Sequence, residues 1–391
     1  MKDNYSTRSV WAGEEESYAE RSTQVPVFHT VTYGYDDLDD WYDVALGKQD
    51  GHIYSRNSNP TVSVFESKLK ELEGAEAATS FSTGMAAISN TLFTFLRPGD
   101  RVVSIKDSYG GTSKLFLDFL PAMHVEVCLV ETGDHEQMQA EIAKGCKLVY
   151  LETPTNPTLK LVDIELLCKA AADVQAISVV DNTFATPINQ NPLALGADLV
   201  LHSATKFLGG HSDAMGGVLC GPQALIDQVY HYREITGATL HPMSAYLLLR
   251  GIKTLDLRIQ RHNSNAMAVA EHLQADSRIK EVFYPGLKTH HHHDVAKKQM
   301  RGFGGMLSFS LHGGYESVKQ FLPKLRYAHL AAHLGGVETI AGPPKVTSHV
   351  ENTPEEREAL GIPEGLIRYS AGIENVEDLL DDLDQALDSI G

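Results

Sequence analysis

The chain has 391 residues, of which 42% are hydrophobic and 21% charged, with a formal net charge of -18, a balance that describes a globular protein with one large core or two smaller ones. The acidic excess excludes the phosphate-neutralising surface of a nucleic-acid-binding protein and reads as a solvated face that aids solubility. No run approaches the about 20 apolar residues that span a bilayer, and the opening stretch MKDNYSTRSVWAGEEE lacks an apolar targeting segment, so a cytoplasmic protein is expected.

Residues 1–58 are rich in tyrosine and turn formers and show little periodicity. They read as an extended arm that packs poorly alone and is expected to lie against another subunit or domain. Next comes FSTGMAAISNTLF, in which Ser82, Thr83, Gly84 and Met85 open a helix. From about residue 100, apolar runs alternate with amphipathic helical stretches, the pattern of a parallel sheet with crossover helices. The strand candidates are RVVSI, VEVCLV, KLVYLE, ISVVD, DLVLHS and GGVLCG. A long helical pattern, LLLRGIKTLDLRIQRHNSNAMAVAEHLQ, leads into short strands such as GGMLSFSL and EGLIRYSAG. We therefore expect a large α/β domain over 59–251 and a smaller one over 252–391. The 4 cysteines form no CxxC pair and read as reduced thiols. His290 to His293 lack a ligand set at metal spacing and read as a solvated loop.

In open α/β sheets, ligands gather beyond the carboxyl ends of the strands, so the residues just after each apolar run are the informative ones. KLVYLE leads to Asn156, ISVVD ends on Asp181, and DLVLHS runs into Ser203, Thr205 and Lys206. A carboxylate and a lysine presented from neighbouring strands fit pyridoxal phosphate: the lysine forms the Schiff base, and the carboxylate keeps the pyridine nitrogen protonated. The helix opening at Gly84 supplies an anion cradle, to which Ser203 and Thr205 add hydroxyls. Neither G-x-G-x-x-G after the first strand nor G-x-x-x-x-G-K-[ST] is present, so dinucleotide and P-loop folds lack their phosphate loop.

The motifs YSRNSNPT, DSYGGT, ETPTNPT, VVDNTF, HSATKFLGGHSD and LIRYSAG together resemble the fold-type I, pyridoxal-phosphate-dependent enzymes of cysteine and methionine metabolism. The resemblance spans nearly the whole chain. It implies an α/β fold with a mostly parallel, seven-stranded sheet, a smaller carboxyl-terminal α/β domain, an amino-terminal arm, and a homotetramer with shared sites. It further implies that Lys206 is the Schiff-base lysine and proton carrier, that Tyr109 stacks on the cofactor ring, and that Asp181 pairs with the pyridine nitrogen. Asn156 would sit near the phenolic oxygen, while Gly84, Met85, Ser203 and Thr205 would hold the phosphate. Tyr54 and Arg56 would reach the phosphate of a neighbouring subunit. Arg368 would take the substrate carboxylate, with Asn156, Glu338 and Thr339 as further substrate contacts.

Within this family, Gly111 stands where methionine γ-lyases typically carry a cysteine, and Glu338 resembles the glutamate of cystathionine-handling members. Against the family pattern, Pro343, Pro344, Lys345, Thr347 and Ser348 are changed around the expected substrate mouth, and His241 replaces a common serine. Gly111 and Glu338 imply cystathionine chemistry, read as γ-replacement on an O-acylhomoserine by a thiol such as cysteine, while the changes around the mouth imply a divergent acceptor or leaving group. The alternatives are γ-elimination from cystathionine or methionine, sulfhydrylation of an O-acylhomoserine, and, in a different class, a non-catalytic cofactor-binding regulator.

Overall fold

The computed structural model describes residues 4–14, 18, 21–350 and 353–390, with only the backbone of Ala359. Parts of the expected arm therefore lie outside the described residues. Seven strands build the first sheet: β1 (Ala77–Phe81), β2 (Arg101–Ile105), β3 (Glu126–Val130), β4 (Leu148–Glu152), β5 (Ile177–Asp181), β6 (Leu199–Ser203) and β7 (Gly217–Gly221). Their order is β1-β7-β6-β5-β4-β2-β3, and β7 alone is antiparallel to its neighbours. Strands β4, β5 and β6 are almost wholly buried apolar runs, as a sheet covered on both faces requires. Beyond β2 the chain moves outward to β3, whereas from β4 it proceeds the other way to β5 and β6. The crevice of the fold thus opens between the carboxyl ends of β2 and β4.

The second sheet contains β8 (Ile279–Phe283), β9 (Met306–Leu311), β10 (Ala328–Leu330), β11 (Thr339–Gly342) and β12 (Leu366–Ser370), in the order β10-β11-β12-β9-β8. The long helical pattern expected from the sequence breaks at Lys253 and Thr254 into the helices Pro242–Ile252 and Leu255–Ala275. The second helix joins the sheets: Leu255 and Ile259 pack in the core under the first sheet, and Ala266, Val269 and Leu273 pack in the core of the second. His241, at the start of Pro242–Ile252, replaces serine without loss of function as a cap, because its Nδ1 accepts the Met243 N–H at 3.2 Å.

The arm divides in two. Its first part is fastened to its own chain. Tyr5 donates to Asn191 Oδ1 at 2.5 Å, and Ser6 bonds Asp256. Glu14 lies between Lys68 and Lys253, 2.8 Å from each. The second part carries a helix that the sequence did not signal, Leu38–Ala45, capped by Asp37 and with no residue buried. Leu38, Trp41, Tyr42 and Leu46 there are all exposed.

The histidine run is not the solvated loop expected. His290 is buried, and the Nδ1 of half-buried His292 accepts the Leu161 N–H at 3.0 Å. The His292 ring fills the space over Gly133, where a Cβ would come within 2.3 Å of its Nε2.

The Lys68 ammonium is fully buried, and among the described residues it meets, besides Glu14, only the carbonyls of Ser9 and Val10. Removing its carboxylate leaves an uncompensated buried charge. Glu14→Ala is expected to cost about 3–5 kcal/mol in urea unfolding, and joint replacement of Glu14 and Lys68 by leucine and methionine to recover most of that loss.

Candidate active site

A cavity of about 320 Å³ opens at the switch between β2 and β4. Strands β2, β4, β5 and β6 each deliver one wall. After β2, Tyr109 turns into the cavity, and its backbone N–H is held by Glu152 Oε2 at 2.8 Å. Beyond β4, Asn156 is buried and accepts a hydrogen bond from Arg368 Nη1 at 3.2 Å. Asp181 closes β5 beside Glu152, its register partner on β4. Asp181 Oδ1 accepts the Thr183 N–H at 3.0 Å, and Oδ2 faces the Tyr150 hydroxyl at 3.4 Å. Burial drives both the Asp181 and Glu152 carboxyls above the usual carboxylate range, and for Glu152 the nearby Asp181 charge adds to the effect.

Lys206 follows β6 in a tight turn, with Ser203 and Thr205 before it. Burial, aided by the Arg368 charge, pulls its ammonium down to about 8. Its Nζ lies 3.2 Å from His333 Nδ1. Arg368 comes from β12 of the second sheet and is buried; burial lowers it to about 10, which leaves a guanidinium charged at neutral pH. Among the described residues, neither Lys206 nor Arg368 has a carboxylate within ion-pair distance. Arg368 is held instead by Asn156 and by the carbonyl of His333, which its Nη2 meets at 3.0 Å.

The helix Gly84–Phe95 ends on the same cavity. Thr83 caps it by accepting the Ala86 N–H, and the first intrahelical bond runs from Ala87 to the Thr83 carbonyl. The N–H groups of Gly84 and Met85 therefore precede the intrahelical ladder and are free to meet an anion. A Cβ on Gly84 would come within 2.6 Å of the Ser203 Cβ, so only glycine lets this turn approach β6. The Thr205 hydroxyl donates to the Gly216 carbonyl at 3.2 Å and accepts the Gly216 N–H at 3.0 Å, so it must turn before it can donate elsewhere.

Residues 6–388 match the family described as Cys/Met metabolism PLP-dependent enzyme. The chain belongs to that family. It is 44% identical over 369 residues to an L-methionine gamma-lyase of Fusobacterium nucleatum subsp. polymorphum, covering 94% of this chain and 93% of that one. It is 41% identical over 379 residues to a cystathionine gamma-lyase of Bacillus subtilis (strain 168), covering 97% of each. A crystal structure of cystathionine gamma synthase from Xanthomonas oryzae pv. oryzae in complex with cystathionine superposes with a TM-score of 0.94 at 39% identity, over 100% of this chain and 99% of that one. The protein is thus a pyridoxal-phosphate-dependent enzyme of the trans-sulfuration group, with the α/β architecture that the motifs implied. The cavity fits the cofactor. It holds an amine of lowered pKa, a buried carboxyl at the end of the adjacent strand, and a helix-end cradle that a Cβ would fill.

Not every expected residue reaches the cavity. Tyr54 and Arg56 stay outside it, the guanidinium stacked 5.2 Å from the tyrosine ring centroid. Thr339, expected to touch substrate, points to the other side of β11. Its hydroxyl donates to Glu374 at 2.9 Å and accepts the Gly372 N–H, because β11 must be pinned to the loop after β12. Glu338 is exposed on the rim rather than in the wall, near enough for its charge to act on His333. Thr347 and Ser348 line the cavity, but Lys345 faces away, paired with Glu364 at 2.7 Å and lying 4.2 Å over the Tyr315 ring. Among the polar cavity residues, the motifs gave no role to Glu152, Thr183 or His333. Glu152 was visible as the last residue of KLVYLE, while His333 lies in a loop with no apolar run to mark it.

The lowered Lys206 amine makes a measurable statement about loading. A lysine reacts with an aldehyde as the free amine, so the rate at which apoprotein captures pyridoxal phosphate should rise with pH and level off above about 8. Absorbance of the lysine-linked chromophore follows it. A rate still climbing past the ordinary lysine range would contradict the burial argument.

Proposed function

We propose that this enzyme catalyses γ-replacement on an O-acylhomoserine, with a thiol such as cysteine as acceptor, in the manner of cystathionine γ-synthase. Arg368 receives the substrate α-carboxylate as a fork, the buried anion it otherwise lacks. Lys206 takes the Cα proton as a free amine and returns protons at the neighbouring carbons. Tyr109 would pack over the cofactor ring, and Asp181 would keep the pyridine nitrogen protonated. Asn156 holds the Arg368 guanidinium and meets the phenolic oxygen, while Gly84, Met85, Ser203 and Thr205 hold the phosphate. Pyridoxal phosphate, when bound, supplies the electron sink for bonds broken at Cα.

The arm completes the assembly we propose. Tyr54 and Arg56, outside their own cavity, would serve the phosphate site of a second subunit, and the exposed apolar face of Leu38–Ala45 is covered by that contact. Two such dimers would form the tetramer. Glu338, on the rim, is placed to meet the amino group of an incoming cysteine.

The observation that carries γ-replacement over methionine cleavage is the packing at Gly111. A Cβ there would stand 2.8 Å from Met85 Sδ and 3.0 Å from Tyr109 Cε1, so the cysteine of methionine γ-lyases would require the Met85 side chain to shift. One observation favours γ-elimination instead: Met85, Phe184, Met215 and Leu334 make an apolar wall suited to a thioether.

The enzyme mixed with O-acetyl- or O-succinylhomoserine and cysteine is expected to yield cystathionine. Release of 2-oxobutanoate without any thioether product, or faster cleavage of cystathionine than its formation, would overturn γ-replacement. Lys206→Ala should lose the lysine-linked chromophore and turnover by roughly 100- to 10,000-fold.

A further inference from the structure

His333 stands in the loop between β10 and β11, and none of the roles above uses its ring. Its Nδ1 lies 3.2 Å from Lys206 Nζ. Its Nε2 is buried and, among the described residues, has no hydrogen-bond partner. Its backbone carbonyl accepts from Arg368 Nη2 at 3.0 Å, and the next peptide but one is fixed by the Gly335 N–H donating to Ser370 Oγ at 2.9 Å. The main chain is thus tied to β12, and the ring is left facing the amine.

An ammonium has only donors, so Nδ1 must accept and the ring proton must sit on Nε2. Among the described residues, the only hydrogen-bond partner of the His333 ring is the lysine. The charged groups around the ring are Lys206 from the turn after β6, Arg368 from β12 and Glu338 from the rim. Burial, with the two cations, holds the imidazole down at about 4, so it is a neutral acceptor through the working range.

We infer that His333 is a positioning residue for Lys206: Nδ1 holds the amine at the cavity wall in the orientation from which it exchanges protons with the substrate. The inference rests on Lys206 being the cofactor's lysine. It assigns the ring to the amine and the carbonyl to Arg368, so loss of the ring should affect turnover more than substrate capture.

The test compares His333→Leu, which removes the acceptor, with His333→Asn, whose side-chain oxygen can stand near the place of Nδ1. His333→Phe serves as a second acceptor-free variant if the leucine variant fails to load cofactor. Two quantities are read: kcat and KM of the holoenzymes, and the pH dependence of pyridoxal phosphate capture by the apoproteins. Without the acceptor, the protonated amine loses a stabilising hydrogen bond, so the apparent pKa of Lys206 should fall by roughly half a unit to one unit. In the same variants kcat should drop roughly 10-fold or more with KM nearly unchanged. His333→Asn should restore both most of the way. An unmoved or raised Lys206 pKa, or an asparagine variant no better than leucine at matched thermal stability, would overturn the inference. Failure of Lys206→Ala to abolish the chromophore would instead overturn the lysine assignment, whatever the His333 variants do.

Discussion

Two cations, Lys206 and Arg368, enter one cavity from different sheets, and among the described residues neither has a carboxylate to pair with. Burying a charge without its counter-ion is costly, and here both cations face a cavity. Each is instead steadied by neutral acceptors: Arg368 by Asn156 and the His333 carbonyl, Lys206 by the His333 ring. The consequences differ with the chemistry of the group. Burial leaves the guanidinium charged and ready for a carboxylate, but it brings the ammonium to about 8, where a free amine is available near neutrality.

The rest of the fold is arranged to hold those groups still. β4, β5 and β6 place Asn156, Asp181 and Lys206 on adjoining strand ends, and the helix Gly84–Phe95 is brought against β6 through a glycine that permits a backbone approach no side chain allows. Arg368 must come from the second sheet. Its position relative to Lys206 therefore depends on the helix Leu255–Ala275, whose two halves belong to two cores. The same helix carries Arg258, which donates to the carbonyls of Phe207, Leu208 and Gly251 and so clamps the turn just after Lys206.

Much of this was legible in the chain itself, for a physical reason: parallel strands buried on both faces are continuous apolar runs, and ligands gather where those runs stop. That rule leads from ISVVD to Asp181 and from DLVLHS to Lys206. It misses β1, whose AATSF has little apolar bulk and is held as a strand by pairing with β7 and by Glu66 bonding Ser80. It misses Leu38–Ala45 because that helix has no buried face within its own chain. Proximity to a motif in sequence also misleads: Thr339 and Lys345 lie in segments expected at the substrate mouth but turn away from the cavity, Thr339 toward Glu374 and Lys345 toward Glu364. His333 was invisible for the opposite reason. Its importance comes from a contact between residues far apart in the chain.

The central claim is that the unpaired Arg368 waits for the substrate carboxylate while the cofactor is held by other groups. The measurement that bears on it most directly is a spectral titration of Arg368→Gln holoenzyme with its amino-acid substrate, alongside the dissociation constant of pyridoxal phosphate from the same variant. Loss of a buried, charge-assisted fork should weaken amino-acid binding on the order of 100-fold or more and leave cofactor affinity unchanged. Unaltered amino-acid binding, or a loss that falls equally on the cofactor, would contradict the account.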